Sequence, residues 1–336
     1  MVASGVSLAL GVTLFVVTVG QALRRGAAPH TAPEAWMWMG LMWALVATGL
    51  QLAIVTLMAF KNLPVAPPFL DVAFVQAALS GFIGNFILGI TLRAVPAFMA
   101  LPSSHMKLVW GALVTINFGL SLTVLGALSG FTPWIMATAP IVELLGLLAF
   151  VIAIRLYSRR SRPRRYTLGA YGRYEWYLRA AYGWLLVSGV IQSWNGLSNV
   201  WPAGGLPMNL AGPALHALAL GFVTLVIMGM AARMLPLFEG AILPLHWLMD
   251  VTFALLNISV LLRIAFGIIP SPAVWTGLAL SGSLSTLALV CFTVVVWRTL
   301  HSSSRERYAE MARNLGQQHL VTVQGRGSSL QSTPPI

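Results

Sequence analysis

The chain has 336 residues, of which 58% are hydrophobic and only 8% charged, against about 25% charged in an ordinary soluble domain. With a mean hydropathy of +0.82, this excludes a soluble enzyme and points to an integral membrane protein. The net charge of +12 sorts by topology, as shown below, rather than by nucleic-acid binding, and one cysteine, Cys291, excludes an intrachain disulfide, a four-cysteine zinc site and a cysteine-ligated iron–sulfur cluster.

A helix crosses the hydrocarbon core with about 20 apolar residues. Nine segments meet this requirement: 6–23, 36–60, 69–95, 108–128, 134–156, 177–200, 213–235, 243–268 and 273–297. Proline and glycine punctuate the breaks, at Pro64, Pro67 and Pro68, at Gly130 to Pro133, between Pro202 and Pro213, and at Pro270 and Pro272. The first segment is not a signal peptide, because no positive charge precedes it and Arg24 and Arg25 follow it. With nine spans, 18 of the 20 Lys and Arg fall on one side, and only Lys61 and Arg263 on the other. By the positive-inside rule the N-terminus is outside and the C-terminus cytoplasmic, in a bacterial-type inner (plasma) membrane. The polar segment 302–336 reads as a largely disordered cytoplasmic tail.

A repeat with an offset of 140 residues runs through the spans. It pairs Trp36 with Trp176, Gly49 with Gly189, Gly81-Phe82 with Gly221-Phe222, Gly89 with Gly229, Arg93 with Arg233, Pro96 with Pro236 and Asn117 with Asn257. The predicted organisation is an all-α membrane protein with an N-terminal helix (1–30), a first four-helix repeat (31–160), a second (161–301) and the tail. Four spans per copy give both copies one orientation, related by a pseudo-twofold along the membrane normal. Small residues at helical spacing, Ala77, Gly81 and Gly84 in the third span and Ala217, Gly221 and Thr224 in the seventh, mark these two as the central pair. The sequence Arg-x-x-Pro-x-Phe is expected to close both, with Arg93 and Arg233 at the cytoplasmic boundary.

Few side chains in the spans carry chemistry. Of six histidines, only His216 lies within a span. An imidazole there is either a haem or copper ligand or a hydrogen-bonding partner of a neighbouring helix. Arg263 lies toward the same side and suits a haem propionate, whereas Arg93 and Arg233 suit lipid phosphates or the boundary itself. Glu143 is the one acid deep within a span, either on a proton or cation path or bonded to a facing helix. Asp71 and Gln76 complete an expected outer polar cluster with His216 and Arg263.

Some of these residues resemble a family. His216-Ala-Leu-Ala-Leu-Gly221, with the Met- and Gly-rich stretch before Arg233, resembles the second signature of the NnrS family. Gly81-Phe82 with Leu92-Arg-Ala-Val-Pro96 is similar to the first, and Tyr177-Leu-Arg-Ala-Ala-Tyr-Gly-Trp-Leu-Leu186 to the start of that family's second half. The resemblance implies a haem- and copper-containing membrane protein of nitrogen-oxide or respiratory metabolism, distantly like the catalytic subunit of haem–copper oxidases. It would bind haem b or copper through His216. Where the family carries a His-x-His-Glu cluster, this chain has Phe74, Gln76 and Ala77, and it has fewer spans than a typical member. Two other functions stay open: a structural or assembly subunit among other subunits of a respiratory or photosynthetic complex, and a small-molecule or ion transporter using Glu143.

Overall fold

The computed structural model describes residues 2–26, 31–159, 171–201, 210–239, 243–269 and 272–301. His30, His319, the arginines from 160 to 165 and the tail 302–336 lie outside the described residues. The described residues form helices and no strand: α1 (Val2–Arg24), α2 (Ala32–Lys61), α3 (Pro68–Met99), α4 (Met106–Leu128), α5 (Pro133–Ala153), α6 (Tyr174–Val200), α7 (Ala211–Glu239), α8 (His246–Ile268) and α9 (Val274–His301). Eight of these are long and apolar enough to cross a membrane. The exception is α6, which is 27 residues long but interrupts its apolar residues with Glu175, Arg179, Gln192 and Asn195. Three starts follow from proline in the first helical turn, in α2, α3 and α5, where its fixed φ suits the helix and its missing N–H costs nothing.

Two expectations about the central helices are corrected. Neither Pro96 nor Pro236 closes its helix; α3 continues to Met99 and α7 to Glu239. The helix after Pro96 ends instead at Ala100, in the left-handed region at φ 54°, with the Leu101 N–H donating to the Pro96 carbonyl. Nor are α3 and α7 regular α-helices. Each widens to π-helical turns at repeat-related places, Gln76–Gly84 and Ala217–Thr224. Polar side chains occupy carbonyls there: Asn85 Nδ2 donates to the Gly81 carbonyl at 2.7 Å, and Thr224 Oγ1 to the Ala219 carbonyl at 3.0 Å.

Helices α3 and α7 are parallel to one another and antiparallel to α6 between them. Gln76 meets Gln192 and Thr91 meets Tyr182 across α3 and α6, while Gly221 faces Trp184 and Gly229 faces Tyr177 across α7 and α6. The two π-helical segments touch each other. Each is also flanked by a tryptophan: a Cβ on Gly81 would lie 2.7 Å from Trp43, and one on Gly221 2.6 Å from Trp184. Only glycine admits an indole so close to the backbone. Each indole N–H then donates to the asparagine of the next helix, Trp43 to Asn117 and Trp184 to Asn257, at 2.8 Å in both cases.

These contacts correct the pairing of Trp36 with Trp176. Trp36 is fully buried beside Gly89, whereas Trp176 is 67% exposed, and Tyr177 takes the matching place beside Gly229. Between α2 and α6 the offset is therefore 141, one residue more than between α3 and α7.

The bundle's buried centre is aromatic. Tyr182 stacks on Phe150 and meets Phe222 edge-on, and Phe150 in turn meets Trp36. Around it the two halves are joined where α5 packs along α6. A full twofold would join α9 to α2 likewise. Among the described residues α2 instead packs against α1, whose Gly5 lies on Leu52 and Val55 and whose Gly20 lies on Trp38.

Candidate functional site: a buried carboxyl beneath an open cavity

Glu143 stands at the eleventh of the 21 positions of α5, about 15 Å from the helix start at 1.5 Å per residue. It is 7% exposed. The α4 backbone comes close at this point, since a Cβ on Gly119 would lie 2.7 Å from the Glu143 nitrogen. That approach presses the carboxyl stem into the centre of the bundle. The carboxyl borders a chamber of about 20 Å³, shared with Ser80 on α3, Ser188 and Gln192 on α6, and apolar residues that include Leu88, Leu147 and Phe222. The Glu143 side chain makes no hydrogen bond and no ion pair with any described residue. Both π-helical segments contribute to the chamber wall, Ser80 and Gly84 from one, Leu218 and Phe222 from the other. Widened turns of this kind recur at functional sites.

Above the chamber lies a cavity of about 300 Å³ between the two halves, at the end where α3 and α7 begin. Asp71 lies on its wall, in the first turn of α3, and is the one charged residue there; Thr123, Asn195 and Pro140 also line it. Gln76 and Gln192 separate this cavity from the chamber. Gln76 Nε2 donates to Gln192 Oε1 at 3.0 Å, and Gln192 borders both spaces. The bond belongs to a one-way chain of donors. Ser80 donates to Gln76 Oε1 at 3.1 Å, Gln192 Nε2 to Ser188 Oγ at 3.2 Å, and Ser188 to the Ala214 carbonyl at 2.9 Å. The opposite end is shut by the stacked aromatics, where the Tyr182 hydroxyl and Thr91 Oγ1 lie 2.5 Å apart.

The expected outer cluster is brought together only in part. Asp71 and Gln76 share the cavity wall, but His216 and Arg263 are not among its lining residues. His216 is half-buried, with Nδ1 2.8 Å from the Gly212 carbonyl. Arg263 donates to the Leu278 carbonyl of α9 at 3.3 Å. Gln76 is bonded to Gln192 rather than to His216 or Arg263. Among the described residues no group of three or more His, Cys, Asp or Glu stands together. Among the described residues His216 thus belongs to no such group, whereas haem b and copper take several ligands and a shaped pocket.

The repeat-related arginines differ in surroundings. Arg93 is exposed and lines a cavity of about 650 Å³ between α1, α2 and α3, with Glu34 and Met37. Arg233 lies between the rings of Phe98 and Tyr174, at 5.7 and 5.5 Å. Tyr174 itself donates to the Phe98 carbonyl at 2.6 Å, so Arg233 ties the end of α3 to the start of α6.

Sequence reasoning missed Ser80, Ser188 and above all Gln192. A signal was present in the repeat: with the offset of 141, Gln192 matches Gln51, as Trp184 matches Trp43.

Comparison with known proteins adds one finding. No curated protein matches the chain. Residues 166–300 match a family model described as a domain of unknown function, DUF8744. The match takes in the whole of α6, α7 and α8 and all but the last residue of α9, so what the chain shares with that family is the four-helix unit of its second half.

Proposed function

We propose that the chain is a polytopic membrane transporter that moves a small cation or proton between the outer aqueous side and Glu143. One observation carries this reading: an unpaired, buried carboxyl lies behind a single amide–amide bond at the floor of an open cavity. The charges along the route favour a positive cargo. Asp71 at the mouth and Glu143 at the end are both acids, in a chain with 20 Lys and Arg and only 8 Asp and Glu. Acidic walls in a low-dielectric cleft concentrate cations. The reading includes nine crossings with α6 among them, a parallel 4+4 repeat after α1, and the N-terminus outside. The parallel course of α3 and α7, their matching π-helical segments and the paired tryptophan–asparagine bonds support the repeat. The basic residues support the orientation.

Transport is tested in reconstituted vesicles loaded with a pH-sensitive dye. Wild type is expected to relax an imposed pH or cation gradient faster than empty vesicles, and Glu143→Gln to fall back to the empty-vesicle rate. Wild-type flux equal to that of empty vesicles, for protons and for alkali cations alike, rejects the reading.

A second reading keeps the NnrS-like expectation of a haem- or copper-binding protein in nitrogen-oxide or respiratory metabolism. It is supported by His216, whose Nδ1 is held by a backbone carbonyl, as in many ligating imidazoles. Purified protein without a Soret band, or with one that His216→Ala leaves unchanged, ends it. A structural role among other subunits would draw on the exposed apolar faces of α1 and α9, which are equally suited to lipid.

A further inference from the structure

We infer that the Glu143 chamber is a proton-binding site, loaded from the outer cavity through the Gln76–Gln192 pair, and that it takes a proton with one water and no metal cation. The inference rests on the transport reading and names the cargo of that same site.

Size comes first. A chamber of about 20 Å³ holds one water, which needs roughly 10–15 Å³ of such space. The next consideration is the oxygen supply. A hard cation that sheds its hydration shell needs about six oxygens around it. The lining side chains carry five oxygens, two on Glu143 and one each on Ser80, Ser188 and Gln192, fewer than six, and the last three are already oriented by the donor chain. The remaining wall is apolar, with Leu88, Leu147, Leu185 and Phe222. A proton needs neither cage nor extra volume.

The electrostatic surroundings lead to the same cargo. No other charged or titratable residue lines the chamber, from α3, α4, α6 or α7. A carboxylate left there alone has no counter-ion, and an isolated charge in an apolar site is among the most costly groups to bury. A proton removes that charge without adding a group to the wall. The route out is equally defined. Asp71 is the only other acid on the path, and it lies beyond the glutamine pair at the cavity mouth. On the far side the chamber is lined by Phe222, Leu88 and Leu185, with Tyr182 and Phe150 packed behind Phe222, and no polar side chain lines it there. Exchange is therefore from one side in this conformation.

The test uses full-length protein in lipid vesicles and a hydrophobic carbodiimide, which adds across a protonated carboxylic acid in a membrane interior and leaves a carboxylate unmodified. The adduct is located by peptide mass mapping. The expected result is one adduct on Glu143, formed fastest in mildly acidic buffer, slower as pH rises, and indifferent to Na⁺ or K⁺ at fixed pH. Glu143→Gln is expected to lose that adduct, and Glu143→Asp to retain it. No adduct on Glu143 at any pH, a rate that does not change with pH, or protection by Na⁺ or K⁺ overturns the inference. Should the Gln variant fail to fold, the wild-type pH and cation series decides alone. Labelling needs no flux. A pH-dependent adduct with flat vesicle assays therefore removes the transport reading and keeps the proton site, whereas cation-protected labelling with active flux does the reverse.

Discussion

Glu143 and the two tryptophan-facing glycines define what single residues do here. A buried polar group without a partner costs about 1–3 kcal/mol, and Glu143 is such a group. Glu143→Leu is thus expected to raise the melting temperature in detergent while abolishing vesicle flux, the pattern of a residue kept for use rather than stability. A melting temperature that falls would show that the carboxyl is a structural partner after all. Gly81→Ala and Gly221→Ala work in the other direction. Each new methyl would press into an indole at under 3 Å, and overpacking of this kind costs about 1–3 kcal/mol. Gly111→Ala, in α4 with nothing within 4 Å, is the control and is expected to be neutral or stabilising by about 0.5–1 kcal/mol. Thermal unfolding of the three variants checks the set. Gly81, Gly221 and Asn117 were legible in the sequence because they recur at one spacing. Trp43, Trp184 and Gln192 were not, because their recurrence is out of step by one residue, and a fixed-offset comparison passes over it.

Among the elements, α6 is the least apolar, and its polar residues bond it to α3, α7 and α8. At its start, Tyr171 donates to Asp250 of α8, Arg173 meets the other carboxylate oxygen at 2.5 Å, and Tyr177 donates to the Met249 carbonyl at 2.5 Å. The Arg173 contribution is small, under about 1 kcal/mol, because exposed ion pairs are screened. Tyr171 matters more for pH. Burial first, and then the bond to Asp250, push its phenol above its ordinary value. A group whose folded-state value is raised stabilises fully below its unfolded value, near 10 for tyrosine, and loses that contribution as pH climbs beyond it. Wild type is therefore expected to lose stability above about pH 10, and Tyr171→Phe to lose it less steeply; parallel alkaline unfolding curves would remove Tyr171 from the clamp. Periodicity and punctuation located the helices, since their apolar length is set by the bilayer and their ends by proline and glycine. The π-helical turns were invisible to it, because one inserted residue shifts the helical face without changing which residues are apolar. Pro96 and Pro236 misled because each removes only one N–H bond, to the carbonyl four residues back, and both helices still run three residues past it.

At the scale of the molecule, the transport reading stands or falls with orientation and with the cavity facing outward. After Cys291→Ser removes the native thiol, a cysteine at Lys61 is expected to react with an impermeant maleimide added to intact cells, and one at Arg298 only after permeabilisation. The reverse pattern would turn the cavity toward the cytoplasm and the direction of proton loading with it. The sequence reading set 161–301 apart as one four-helix segment, and the family match covers 166–300. What sequence could not reveal is how the halves meet. The join of α5 to α6 depends on close approaches, Gly189 to Leu144 and Gly196 to the Met136 carbonyl, whose partners on α5 carry no sequence signature.

That join has a counterpart which the fold leaves unmade. On the parallel-repeat reading, two units linked end to end would expose a donor flank on α9 and an acceptor flank on α2, the geometry from which open head-to-tail chains of molecules grow. Here α1 lies along α2 and reaches α3 through Phe15, beside Phe82 and Phe86. It supplies no residue to the chamber or to the cavity above it. Helix α1 is then expected to act as a terminator, as the capping units of repeat proteins do, by covering the α2 surface on which a next molecule would dock. Deleting residues 1–26 should leave proton flux intact and turn a discrete species into a concentration-dependent ladder in light scattering; an unchanged mass would mean that α2 needs no guard.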